Sequence, residues 1–71
     1  MFVIIKFEVD GHVEHAGLLE GQYPTRDEAM GAALHFAIHD PDRLPNRSVE
    51  VDKDRSLVMV EDELTFVVEE V

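Results

Sequence analysis

Residues 25–40, TRDEAMGAALHFAIHD, constrain the fold more than any other part of the sequence. Thr25 and Glu28 have the T-x-x-E spacing of a capping box, in which a threonine hydroxyl satisfies a backbone N–H at the start of a helix. Pro41 prevents the helix from continuing and pushes Asp40 towards an extended backbone. The sequence therefore predicts a helix over residues 26–39.

One face of this helix is predicted to be buried. Apolar residues recur with the i, i+3, i+4, i+7, i+8 spacing of a buried helical stripe, at Met30, Ala33, Leu34, Ala37 and Ile38. Ala29 and Phe36 flank this stripe. Its small alanine side chains allow a close approach, so the pattern predicts that the helix packs directly on a sheet.

The segment before the helix is predicted to form a hairpin. Residues 2–9, FVIIKFEV, are rich in β-branched and aromatic residues, and polar and apolar side chains alternate in their second half. Asp10–Gly11 is typical of a two-residue hairpin turn. A second strand is therefore expected within residues 12–23, where Gly17 and Gly21 indicate a bulge or a strong twist.

The segment after the helix is predicted to form two or three more strands. Residues 40–47, DPDRLPNR, have the composition of a loop, and SVEVD, SLVMV and ELTFVVEEV are strand-like. The order is ββαββ(β), which predicts a single α+β domain over residues 1–71. It consists of an antiparallel sheet of four to five strands, with one helix on one face.

One helix covers only one face of such a sheet. The residues expected on the other face, subject to the strand register, are Phe2, Ile4, Val58, Val60 and Val67. A chain of 71 residues without cysteine has a small core and no disulfides. Self-association, as a homodimer or higher oligomer, is therefore expected to cover the surplus apolar surface.

The charge balance narrows the classes of partner. Six Lys and Arg against sixteen Asp and Glu give a net charge of −10. Nucleic acids and anionic membranes both attract basic surfaces, so neither is expected to bind directly. No apolar run is long enough for a signal peptide or a membrane span, and the absence of cysteine suits a reducing compartment. These features predict a cytoplasmic protein with a basic protein partner.

His35 and His39 lie one helical turn apart and form a His-x3-His pair, which binds zinc or nickel in some helices. The zinc-protease pattern requires Glu at position 36, where this chain has Phe36. A structural site requires further ligands, whereas two polar residues on the solvent side of a helix explain the pair fully, and this interpretation is preferred. A metal-binding domain using His35 and His39 is therefore the alternative function.

Catalytic motifs are absent from the sequence. The hydroxyl residues do not occur in a nucleophile elbow, and the four glycines match neither the dinucleotide-binding nor the P-loop spacing. A non-enzymatic protein without a cofactor is therefore expected.

The candidate partner-binding residues are acidic and lie near the C-terminal end of the chain. They are Glu50, Asp52, Glu69 and Glu70, which are expected to form an anionic stripe on the strands. Such a stripe would suit a basic groove, including one built for nucleic acid. The ββα order with TRDEA opening the helix is similar to small antitoxin and inhibitor modules of bacteria and phages. Together with the excess of negative charge, these features predict a small inhibitor- or antitoxin-like binding module that docks on a basic macromolecule, with mimicry of a nucleic acid as one form of such docking.

Overall fold

The computed structural model describes residues 1–10, 13–40, 48–61 and 64–71. It contains β1 (Phe2–Asp10), β2 (Val13–Leu18), α1 (Arg26–His39), β3 (Val49–Asp52), β4 (Leu57–Val60) and β5 (Leu64–Glu70). The five strands form one antiparallel sheet in the order β2-β1-β5-β4-β3. The predicted α+β fold is confirmed. The predicted loop over residues 40–47 lies outside the described residues except for Asp40.

Helix α1 begins and ends as the sequence predicts. The Glu28 backbone N–H donates to Thr25 Oγ1 at 3.2 Å, and the Thr25 hydroxyl donates to Glu28 Oε2 at 3.3 Å. The backbone of Thr25 is extended, as the residue preceding a helix should be. Asp40 is also extended, with φ −63° and ψ 127°, so the helix ends at His39.

Replacing Thr25 with alanine is expected to lower the free energy of unfolding by about 1 kcal/mol, because the Glu28 N–H loses its side-chain acceptor. Replacement with serine keeps the acceptor and should cost much less. Urea denaturation followed by circular dichroism measures both changes. Equal losses for the two variants would show that the hydroxyl does not stabilise the helix.

The buried seam of α1 is formed by small residues. Ala29, Ala33 and Ala37 are fully buried, and Met30 is nearly so. The predicted stripe also includes Ile38 and Leu34, but Ile38 is 44% exposed and Leu34 is only half-buried. Compared with the prediction, the buried face of α1 is therefore rotated towards Ala29. Alanines allow the closest approach between helix and sheet, and the larger side chains fit better at the margins of the contact.

The first hairpin is confirmed, but Asp10 does not belong to its turn. Asp10 is the last residue of β1 and pairs with Val13, and Gly11 lies outside the described residues. Strand β2 ends at Leu18, earlier than expected. Gly17 pairs regularly with Lys6 within β2, so it does not form a bulge, whereas Gly21 lies after the strand and has a φ of 103°. Tyr23 then pairs with Phe2 in an isolated bridge.

The side of the sheet that contacts α1 is called the covered face. Its core residues pack with the alanines of the helix and are Ile4, Val58, Val60, Leu64, Phe66 and Val68. Four residues that the sequence predicts on the other side belong here instead: Ile4, Val58 and Val60 are buried beneath the helix, and Phe2 packs against the same core. Of that predicted set, Val67 lies opposite. The two faces of β1 and β4 are thus exchanged relative to the prediction.

Lys6 explains this exchange for β1. Lys6 shares the covered face with Ile4, yet its Nζ lies 2.6 Å from Asp40 Oδ2 just beyond the end of α1. The lysine therefore has a carboxylate partner at the margin of the helix. On the other face of β1, which is entirely apolar, Val3 is buried, Ile5 is half-buried, and Phe7 and Val9 are exposed. Within the described ranges, no helix has the length and apolar character needed to cross a membrane.

Candidate functional site

The side of the sheet opposite α1 is called the open face. Directly paired residues of antiparallel strands point to the same side, so the strand register identifies its members. They are Val3, Ile5, Phe7, Val9, Glu14, Ala16, Leu18, Glu50, Asp52, Leu57, Met59, Thr65, Val67 and Glu69.

The centre of the open face is apolar and accessible. Phe7 is 41% exposed and Leu18 is 69% exposed, while Ile5, Val67 and Met59 are half-buried. Two cross-strand rows form this centre. One runs Leu18–Ile5–Val67–Leu57 and the other runs Ala16–Phe7–Thr65–Met59. The described part of the chain therefore leaves a contiguous apolar surface of the kind that proteins use for association.

Carboxylates flank this surface on both edge strands. Glu14 extends from β2, Glu50 and Asp52 extend from β3, and Glu69 lies at one end of β5. Among the open-face positions of the five strands, none is Lys or Arg. The open face is therefore apolar in the middle and negatively charged at its margins.

A cavity of about 500 Å³ lies at one end of the open face. The open-face residues in its wall are Phe7, Val9, Met59 and Thr65, and three carboxylate residues also line it, namely Glu8, Glu14 and Glu61. Because the cavity combines aromatic and aliphatic walls with a carboxylate, it can accept a large apolar side chain or the stem of a Lys or Arg.

The structure divides the predicted acidic stripe. Glu50, Asp52 and Glu69 share the open face, whereas Glu70 pairs with Phe2 and points to the opposite side. Glu69 is also separated from the other two by β4, and along the sheet it lies one row from Asp52 and two rows from Glu50. The four residues therefore do not form one continuous stripe, because consecutive strand residues alternate between faces.

Asp52 has a role in the turn that follows β3. Its Oδ1 accepts a hydrogen bond from the Arg55 backbone at 3.2 Å, and its Oδ2 lies 3.7 Å from Arg55 Nε. Asp52 therefore stabilises the polar turn over residues 53–56, and its charge is partly offset. Glu50, which pairs across the ladder with Met59, is the better candidate for contact with a partner.

His35 and His39 lie on the exposed side of α1, as predicted. Their ring centroids are 4.5 Å apart, and the rings are tilted by 48°. Among the described residues, no group of three or more His, Asp or Glu side chains is arranged to hold a metal ion. The pair thus offers two imidazoles and, in the described part of the chain, no further ligands.

Sequence reasoning missed Glu14, Leu18 and the cavity beside Phe7. The alternation of Ile5, Phe7 and Val9 was visible in the sequence, but it did not show that this row would be uncovered. Glu14 joins the site through its pairing opposite Val9, which follows from the hairpin register.

Comparison of the chain with protein families, with curated proteins and with solved structures finds no match.

Proposed function

We propose that the protein is a non-enzymatic binding module that docks on a basic protein partner through the open face. The observation that carries this proposal is the apolar centre around Phe7 and Val67, flanked on opposite sheet edges by Glu14 and Glu50. A cysteine-free chain suits a reducing compartment, and we place its action in the cytoplasm.

The apolar centre and the acidic margins have different roles in this proposal. Burial of Phe7, Met59 and Val67 supplies most of the affinity, because apolar side chains in a desolvated interface centre dominate binding energies. The carboxylates attract a positively charged surface and set its orientation, so they mainly affect the association rate. The partner should therefore carry an apolar patch flanked by Lys or Arg.

An amphipathic helix has suitable dimensions for the open face. Edge strands β2 and β3 are separated by four strand spacings, or about 19 Å, whereas a helix with its side chains is about 10–12 Å in diameter. A helix lying between them can place its apolar stripe on the central strands and extend a basic side chain towards each edge. This arrangement favours an inhibitor- or antitoxin-like docking module. Mimicry of a nucleic acid is less well supported, because the carboxylates lie on separate margins rather than in a continuous line.

A designed peptide that carries the expected chemistry of the partner tests this function. The probe is an 18-residue helix with a leucine stripe flanked by lysines, and a second peptide replaces each lysine with glutamate. Titration monitored by amide chemical shifts should move resonances of Ile5, Phe7 and Val67 with the basic peptide only. Raising the salt concentration should weaken binding, because charges beyond about 8–10 Å are screened at physiological ionic strength.

Matched charge variants separate site-specific attraction from the overall charge. Glu14→Gln with Glu50→Gln should slow association with the basic peptide about three- to tenfold at low salt, since the β2 margin loses its carboxylate and the β3 margin keeps only Asp52, whose charge Arg55 partly offsets. Asp27→Asn, on α1, with Glu70→Gln removes the same charge on the covered side of the sheet and should have a smaller effect. Equal effects of the two pairs, or shifts confined to α1, would contradict docking on the open face.

A further inference from the structure

Strand β2 is an edge strand whose six residues are all exposed. The Leu19 backbone N–H donates to the Ile4 carbonyl oxygen at 2.9 Å. This bond shows which residues of β2 direct their backbone N–H and C=O groups towards β1. Residues 13, 15 and 17 therefore direct their backbone groups towards β1. Glu14, Ala16 and Leu18 direct theirs outwards, where no strand of the described residues pairs with them.

The sequence of β2 does not protect this edge. Natural edge strands are commonly blocked by proline, lysine, a bulge or a very short length. Residues VEHAGL contain neither proline nor lysine, and their pairing with β1 is regular over all six positions. The strand thus presents a complete set of donors and acceptors to a further strand.

The other edge strand, β3, is protected against pairing with itself. The Glu61 N–H donates to the Ser48 carbonyl oxygen, so alternate residues from Ser48 onwards direct their backbone groups towards β4. The backbone groups of Val49 and Val51 therefore point away from the sheet. An antiparallel pairing centred on Glu50 would place that glutamate opposite its own copy. Centring on Val51 would place Glu50 opposite Asp52. Like charges directly opposite each other destabilise a sheet, so both arrangements are disfavoured.

We infer that two copies of the chain associate through β2, antiparallel and with the two-fold axis at Ala16. This register pairs Glu14 with Leu18 of the second copy and His15 with Gly17 of the second copy. Ala16 faces its own equivalent. No acidic residue of β2 opposes another, and the outward backbone groups of all three residues are satisfied.

The resulting assembly is a continuous ten-stranded sheet with a helix on each half of one face. The interface uses the outward backbone groups of β2, whereas the side chains of Glu14, Ala16 and Leu18 stay on the open face, which remains accessible on both copies. The interface therefore adds a second copy as a partner without depending on the proposed docking of a basic protein. Because each chain has a net charge of −10, raising the salt concentration should strengthen this association, opposite to the effect expected for the basic peptide.

Proline substitutions at the two edges test the inference. Sedimentation equilibrium of the unmodified chain should show a dimer. Ala16→Pro removes only an outward N–H and should raise the dissociation constant at least about tenfold, since both symmetry-related hydrogen bonds are lost. Val51→Pro removes the equivalent outward N–H on β3 and should leave the dimer intact. A monomeric unmodified chain, or a dimer lost only with Val51→Pro, would overturn the inference.

Cysteine cross-linking fixes the register independently of these variants. Paired residues of this type have Cα atoms about 5.5 Å apart, within the range of a disulfide. In this cysteine-free chain, Ala16→Cys should form an intermolecular disulfide under mild oxidation. Glu14→Cys and Leu18→Cys should each cross-link poorly alone but efficiently when mixed. Leu18 and its equivalent are separated by about 14 Å along the strands. Cross-linking of Leu18→Cys alone, with none for Ala16→Cys, would exclude the proposed axis.

Discussion

Replacing Phe66 with alanine is expected to lower the free energy of unfolding by about 3–5 kcal/mol, the usual cost of truncating a buried phenylalanine. Phe66 is fully buried beneath α1 and is among the largest of the completely buried side chains. Its loss leaves a cavity between the alanine seam and β5. Because small domains have about 5–15 kcal/mol of stability in total, this variant should be at the limit of folding. Urea denaturation measures the change.

Phe7→Ala is the matched control for this experiment. Phe7 belongs to the same sheet, but it lies on the open face and is 41% exposed. Its truncation should cost about 1 kcal/mol or less, because much of its surface is already in water. If the two substitutions destabilise the chain equally, the assignment of the covered and open faces is incorrect.

Replacing Lys6 with methionine is expected to lower the free energy of unfolding by about 2–4 kcal/mol. Its partner Asp40 has a side chain that is only 6% exposed, so the carboxylate would be left in a poorly solvated position. Removing one member of a fully buried pair costs about 3–5 kcal/mol, and the 19% exposure of Lys6 reduces that value. Thermal and urea denaturation both report this loss.

A double-mutant cycle identifies the cause of the destabilisation. Lys6→Met combined with Asp40→Asn should recover at least about 1 kcal/mol relative to the sum of the single changes, because the residues interact directly. Lys53→Met provides a control at an exposed turn position and should change stability by less than about 0.5 kcal/mol. Strictly additive losses would show that the ion pair does not couple β1 to the end of α1.

The helix was the most predictable element because its signals are local. Thr25 and Glu28 form their capping interaction within one turn, and Pro41 constrains only the residue before it. The hairpin was predictable as an element but not in its detail, since Asp10 continues in β1 and pairs with Val13. A residue typical of turns remains in a strand when cross-strand pairing includes it.

The acidic character of the site was also predictable, but its arrangement was not. Glu50 and Asp52 share a face because they are two residues apart, and Glu69 and Glu70 are separated because they are adjacent. Glu14 is distant from β3 in sequence and lies on the same open face only because β2 and β3 form opposite edges of one sheet.

The sequence by itself determined the element types, the alternation within each strand and the excess of negative charge, because these depend on neighbouring residues and composition. Alternation along β1 places Ile4 and Ile5 on opposite faces of the sheet, but it does not indicate which face the helix will cover. Only the tertiary structure decided that, by placing Asp40 within reach of Lys6 and packing Ala33 against the side of the sheet that contains Phe66. The face of β1 with no charged residue was thereby left on the side away from the helix, where Phe7 and Val9 are exposed, because burying the other face satisfied both the apolar core and its lysine.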